Sequence, residues 1–304
     1  MPSTWRGDAV GRDAVTRDFV ARDAVAALAL TRRWAVNWLS GQDSSQLVDL
    51  LADDYELRIG SLALHGRPSY ADAVLGQFAQ FPGLGLTVHD VITDGERVAV
   101  RFTEHGASSA HGGRVSAWGG IALHRVVDGR ISSTFAEEDY AARRRQLAAG
   151  VVDGVEPPHP SPWDVTPEGP DEHVEETVRQ WLHEQWLHEQ WLDGQLEAAG
   201  GPVAVGGGVL IDDQIHGQPV DRIISPEALV VDELFSAGRR AAFHVTQTGR
   251  GVLDAAVVRL GIAGMVSVEA GAVVDGRLVR DRLGALRGSM PARGTEPVRA
   301  ATPG

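Results

Sequence analysis

The sequence predicts two α+β domains in tandem, each a curved, mostly antiparallel sheet packed on helices. Three observations predict it. Short motifs recur in the same order in the two halves. Their spacing of about 150 residues is a domain length and too long for a solenoid repeat. Within the first half, helical apolar stripes are followed by runs of alternating apolar residues. Trp38-Leu39-Ser40-Gly41-Gln42 returns as Trp191-Leu192-Asp193-Gly194-Gln195, and His65-Gly66-Arg67-Pro68 as His216-Gly217-Gln218-Pro219. Arg97 with Thr103-Glu104-His105-Gly106 returns as Arg240 with Thr246-Gln247-Thr248-Gly249. Val126-Val127-Asp128-Gly129-Arg130 returns as Val273-Val274-Asp275-Gly276-Arg277. A single match would be chance; ordered matches are not.

Residues 1–25 read as an N-terminal extension, with a five-residue tandem (Arg-Gly-Asp-Ala-Val and its variants) over 6–25. A second tandem, Gln-Trp-Leu-His-Glu, occupies 180–194. A five-residue unit precesses around a helix, so neither keeps one face, and both read as duplicated segments without chemistry. The first domain spans 26–150. Its first helix carries Ala27, Leu30, Trp34 and Trp38 on one stripe. Asp43 with Gln46 resembles a capping box opening a short helix, and Tyr55 to Ile59 reads as a strand. A third helix opens near Ser69, buries Tyr70, Val74, Phe78 and Phe81, and stops at Pro82-Gly83. Four strands follow, near 86–93, 96–104, 114–127 and 130–138. Asp94-Gly95 and Asp128-Gly129 are placed between them as two-residue turns. Residues 151–172, with six prolines among acidic residues, form a semi-extended linker. The second domain, 173–288, is a degenerate copy. Its third helix shrinks to residues around Asp221–Ser225, and the glycine-rich 200–208 replaces the second. Residues 289–304 read as a disordered tail.

Composition narrows the chemistry. The net charge of −13 argues against a nucleic-acid or anionic-membrane surface, both of which need clustered positive charge. No apolar run approaches a membrane span, and Met1-Pro2-Ser3-Thr4-Trp5-Arg6 lacks the apolar core of a signal peptide, so a cytoplasmic location is expected. There is no cysteine, which excludes thiolate nucleophiles and disulfides. There is no lysine either, which excludes Schiff-base chemistry. His183-Glu184-Gln185-Trp186-Leu187-His188 looks like a zinc helix, but its histidines lie five apart and point about 140° away from each other. No metal and no cofactor are expected.

The helix–strand order, with Ala52-Asp53-Asp54-Tyr55, His65-Gly66-Arg67-Pro68 and Val127-Asp128-Gly129-Arg130-Ile131, resembles the NTF2-like superfamily, in the branch of SnoaL-type polyketide cyclases and ketosteroid-isomerase-like proteins. The resemblance implies two tandem cone folds, each with a pocket between sheet and helices. It also implies cofactor-independent acid/base catalysis of cyclase, isomerase or dehydratase type. The substrate class it implies is small and mostly apolar, such as a polyketide or terpenoid. The isomerases' general-base Asp aligns with Ile59, which counts against their mechanism. An epoxide hydrolase or epoxide-opening cyclase is the enzymatic alternative; a non-catalytic ligand-binding or scaffold protein is the other.

Candidate acids and bases come from strand alternation. Val98, Val100, Phe102 and Glu104 share a face, and the apolar three mark it as inward. On the last strand Ile131, Ser133, Phe135, Glu137 and Asp139 alternate, which makes Glu137 and Asp139 catalytic candidates beside Glu104, with Glu138 on the opposite face. Trp34, Tyr55, Tyr70, Phe78, Phe102 and Phe135 are the candidate substrate-binding residues. Trp118 and His124 share the other register of their strand and are expected on the outer face, where the two domains would pack as an intrachain pseudo-dimer, with a homodimer as a further option. The pocket is expected in the first domain.

Overall fold

The computed structural model describes residues 25–187, 208–212, 224–251 and 256–284. The first pentamer tandem, the glycine-rich 200–207, residues 221–223 and the tail lie outside the described residues.

The chain opens with helix α1, residues 25–40, whose second half, Trp34–Ser40, is a π-helical turn. Its predicted stripe, Ala27, Leu30, Trp34 and Trp38, is buried. Asp43 caps the next turn as expected: its carboxylate accepts from Ser45 N and from the Gln46 amide at 2.9 Å. Helix α2, Leu47–Leu50, then turns into strand β1, Leu51–Ile59. Gly60, at φ +55°, folds the chain back into β2, Leu62–His65, a short strand that the alternation did not reveal. Helix α3, Arg67–Gln80, starts two residues before Ser69, because Pro68 fits the first turn, where no N–H is needed. It buries Tyr70, Val74 and Phe78.

Strands β3 (Gly85–Thr93), β4 (Arg97–Ser108), β5 (Arg114–Val127) and β6 (Arg130–Glu138) form an antiparallel meander. The β5–β6 turn has Asp128 and Gly129 at φ 49° and 71°, as a tight hairpin requires. The β3–β4 turn differs from expectation. Only Gly95 takes a positive φ, while the Asp94 carboxylate accepts from Glu96 N and Arg97 N and holds the turn by side chain. The sheet order is β2-β1-β6-β5-β4-β3, with β1 parallel to β6. Helix α4, Tyr140–Ala149, follows β6 directly, and Asp139 caps it by accepting from Ala142 N at 3.0 Å.

Residues 151–171 carry no regular structure. They lie along the protein, with Glu156 paired to Arg101 and Trp163 and Val165 packed on the first core. Helix α5, Glu172–Leu187, and strands β7 (Val209–Ile211), β8 (Ile224–Ala237), β9 (Arg240–Gly251), β10 (Val257–Glu269) and β11 (Ala272–Arg280) follow. The second sheet is ordered β7-β11-β10-β9-β8, with β7 parallel to β11, so it repeats the strand order of the first sheet without the β2 edge. One motif match does not survive. Val273 to Arg277 lies inside β11; the turn equivalent to Asp128-Gly129 is Ala270-Gly271, at φ 49° and 75°.

Each sheet has its own helix-covered core, and a third apolar cluster joins the two. Ile92, Ala99, Ile121 and Leu123 of the first sheet meet Phe235, Ala242, Met265 and Val279 of the second. Arg97 and Arg125 both reach Glu233 around this cluster. This contact reverses the expected faces of β5. Trp118 is fully buried against the helices beside Phe81, and the edge of His124 meets Trp34 at 4.5 Å. Residues that pair across strands share a face, and Glu104 pairs with Trp118, Phe102 with Gly120 and Val98 with His124. Ile121 and Leu123, in the opposite register of β5, are the ones that meet the second sheet.

Candidate functional site

Between the first sheet and its helices lies a cavity of about 190 Å³. Trp34 and Leu39 of α1, Tyr70, Val74 and Gln77 of α3, and Tyr55 and Ile59 of β1 form its walls. Its polar end is made by Glu104 of β4, Glu138 of β6 and Tyr140 at the start of α4.

These two carboxyls start on strands that do not touch, since β5 runs between them. Between them, Gly120 of β5, the cross-strand partner of both Phe102 and Glu138, has no side chain and leaves room for both. A Cβ there would stand 2.5 Å from the Phe102 ring and 3.0 Å from Glu138 Cγ. The carboxyls hydrogen-bond each other. The Gln77 amide donates to Glu104 Oε2 at 2.6 Å, and the Trp118 indole N–H donates to Glu138 Oε2 at 2.8 Å. Both residues are buried, Glu104 at 2% exposure.

Burial, reinforced by repulsion from Glu138, holds Glu104 well above the ordinary carboxylate range. Burial also raises Glu138, but hydrogen bonds from Trp118 and Tyr140 and the nearby Arg143 charge oppose the rise. The two share a hydrogen bond and repel each other when both are charged, so the pair holds one proton between them. Arg143 is held over the Tyr140 and Trp118 rings, 4.3 and 4.9 Å from their centroids, and its charge pulls both carboxyls down against the effect of burial. Two carboxyls with one proton can take a proton at one point and give one at another.

Of the sequence candidates, Glu104, Trp34, Tyr55, Tyr70 and Phe102 line the cavity. Phe78 does not; it packs against Trp38 with centroids 5.1 Å apart, within the core. Glu137, Asp139 and Phe135 lie on the other face. The Phe135 ring lies over His244, Glu137 accepts from Gly60 N and bonds His244 Nε2 at 2.9 Å, and Asp139 pairs with Arg282. The reason is a bulge. β5 and β6 slip register between Arg125/Val126 and Ile131/Ser133, so β6 carries one extra residue. Ile131 faces inward as expected, but beyond the bulge Thr134, Ala136 and Glu138 take the inner face. The sequence offered no sign of the slip, because both faces of β6 are buried.

Glu137 and His244 form a buried polar contact between the sheets. Burial raises Glu137 to about 7, against the pull of His244. Burial works against a charged His244 as well, but its hydrogen bonds to Asp232 and Glu137 prevail and lift it to about 9. Where the first unit has Glu104 and Glu138, the corresponding strand positions of the second hold Gln247 and Arg280, and Arg280 is paired with buried Asp212. No group of His, Asp and Glu among the described residues is arranged to hold a metal ion. No described helix is long and apolar enough to cross a membrane.

Residues 31–134 match the family model of the SnoaL-like domain. Among solved structures, the chain is similar to a candidate SnoaL-like polyketide cyclase from Jannaschia sp. CCS1, at 17% identity over 48% of this chain and 99% of that one, with a TM-score of 0.39. It is similar to TsrD from Streptomyces laurentii at 23% identity, over 41% and 96% of the two chains, with a TM-score of 0.37. An M. tuberculosis LEH-like epoxide hydrolase aligns at 18% identity, over 41% and 91%, with a TM-score of 0.36. No curated protein sequence matches the chain. The SnoaL-like match thus lies in the part of the chain that builds the first sheet and its helices, residues 31–134 of 304.

Proposed function

We propose that the first domain is a cofactor-independent acid/base enzyme acting on a small, mostly apolar substrate, with Glu104 as the acid and Glu138 as the base. The observation that carries this reading is the hydrogen-bonded pair of carboxyls at one end of an aromatic cavity. Burying two such groups together is unfavourable for folding alone, and an ionisable pair raised in pKa inside a cleft is characteristic of reaction sites. Glu138, steadied by Trp118, would take a proton from carbon or water. Glu104, steadied by Gln77, would return one to the developing alkoxide or enolate. Aromatic walls exclude water and match a hydrocarbon skeleton. Cyclase, isomerase and dehydratase chemistry all need this pair of transfers.

A panel of cyclic enones and epoxides in deuterated water tests the reading, with label at carbon next to the carbonyl and diol formation both followed by NMR. Glu104→Gln and Glu138→Gln are expected to lower turnover about 10²–10⁴-fold each while leaving ligand binding intact. Diol formation lost in the same variants would assign the epoxide-opening branch. Ligand binding without turnover dependent on either carboxyl would overturn the enzymatic reading in favour of a binding protein.

A further inference from the structure

The Tyr70 hydroxyl occupies an unusual position in the cavity wall. It accepts two hydrogen bonds, from the indole N–H of Trp34 at 2.9 Å and from that of Trp38 at 3.2 Å. Both indoles come from the π-helical turn of α1, an irregularity often found where a helix serves a site. Tyr70 is 4% exposed, and the Tyr55 ring meets it edge-on at 5.1 Å.

A phenol oxygen has two lone pairs and one proton. With both lone pairs engaged by N–H donors, the hydroxyl has no accepting capacity left. Its own proton makes no hydrogen bond to an acceptor among the described residues, although Tyr70 lines the cavity. A buried donor without a partner is unfavourable unless a ligand supplies the acceptor. Two N–H donors on the oxygen also polarise it, making the O–H a stronger donor. Burial raises the Tyr70 pKa, with repulsion from Glu104 and Glu138 adding to it, so the group stays protonated and acts by donating rather than as a base.

We infer that Tyr70 is a fixed hydrogen-bond donor for an oxygen of the ligand, and that the ligand therefore carries a carbonyl or epoxide oxygen with an apolar skeleton around it. The assignment rests on the cavity being a substrate site, and not on which carboxyl moves the proton. The Trp34–Trp38–Tyr70 arrangement fixes polarity: an oxygen with free lone pairs is held, and a group offering only a donor is rejected. In a reaction, the same donor would stabilise negative charge developing on that oxygen as Glu138 removes a proton nearby.

The test compares 2-cyclohexen-1-one with its carbon isostere 3-methylenecyclohexene, measuring both affinities and the infrared carbonyl stretch of the bound ketone. In the native protein the stretch is expected below its value in hexane, with the ketone preferred over the isostere. Tyr70→Phe keeps the ring, and should return the stretch to the hexane value and weaken ketone binding about five- to tenfold, with isostere binding unchanged. Trp38→Phe removes one of the two supporting donors, should give an intermediate stretch, and serves if Tyr70→Phe fails to fold. Glu104→Gln and Glu138→Gln should keep the native stretch even where they abolish turnover, which separates this inference from the acid/base assignment. Equal stretches in the native protein and Tyr70→Phe, a shift that disappears in Glu104→Gln, or no ketone binding at millimolar concentration would each overturn it.

Discussion

Glu104 and Glu138 behave as one titrating unit, because each lies in the other's field and they share a hydrogen bond. The active form of such a pair holds one proton. Below its first ionisation there is no base; above its second there is no acid. The rate of an acid/base reaction in this cavity should therefore follow a bell in pH. Both groups are raised, so the acidic limb should fall above the ordinary glutamate range, and the alkaline limb should lie well to its alkaline side. Glu138→Gln removes the repulsion that helps to raise Glu104, so the Glu104 carboxyl should titrate at lower pH in that variant. Carboxyl infrared spectra of native and variant protein check the direction; an unmoved Glu104 band would show that the two groups do not interact. Glu104 was legible from the sequence, because three apolar neighbours in alternation marked its face. Glu138 was not, because the extra residue of β6 moved it to a face that alternation assigned to Glu137 and Asp139.

At the scale of elements, the site depends on how β6 hands over to α4. Asp139 lies at that junction, capping α4 and pairing with Arg282 from the far side of the sheet. It thereby fixes the helix that brings Tyr140 and Arg143 to the acid pair. Asp139→Ala should lower stability by about 1 kcal/mol through loss of the helix cap, since Arg282 keeps Asp212 as a second partner at 3.3 Å. Its effect on rate should be far smaller than that of Glu138→Gln, because the Asp139 side chain does not line the cavity. Urea unfolding together with turnover separates the two; a rate loss as large as that of Glu138→Gln without loss of stability would return Asp139 to the catalytic set. The π-helical turn of α1 is the other element that matters, since it presents Trp34 and Trp38 to Tyr70. Its apolar stripe was plain in the sequence. The π geometry was not, because a stripe of two turns fits either helix.

For the whole molecule, the joined sheet faces put ionisable groups where water cannot reach them. His244 bonds Asp232 of its own sheet and Glu137 across the join, and is 3% exposed. Its pKa is raised from 6.5 to about 9 on folding, so its contribution to stability is fully present below about pH 6.5 and is lost as pH rises through 9. Glu137 is also raised, from 4.5 to about 7; a raised acid favours the folded state while protonated, so its share is lost as pH rises from 4.5 to 7. Both act in the same direction. Stability to urea should fall between pH 5 and pH 9, and His244→Gln should flatten the alkaline part of that fall. A variant with the same alkaline slope as the native protein would show that this histidine does not control the join. We propose that the join makes the two domains an intrachain pseudo-dimer, with the second domain bracing the outer face of the first sheet.

The sequence by itself determined the element order of the first sheet apart from β2, the apolar stripe of α1, the inner face of β4, the aromatic cavity residues Trp34, Tyr55, Tyr70 and Phe102, and the proline-rich connection. Each of these is a local property: a period, a cap or a turn residue near its own neighbours. The tertiary structure decided what local patterns could not encode. Covering the first sheet on both sides made apolar residues equally common on each face of β5 and β6, so polarity no longer told inside from outside. Trp118 and His124 then belong with the helices, and Ile121 and Leu123 with the second sheet. A single bulge, which leaves no trace in such a strand, exchanged Glu137 for Glu138. Gly120 completed the site by leaving space for the Phe102 ring and the Glu138 side chain on either side of it, a fact that depends on three strands being side by side.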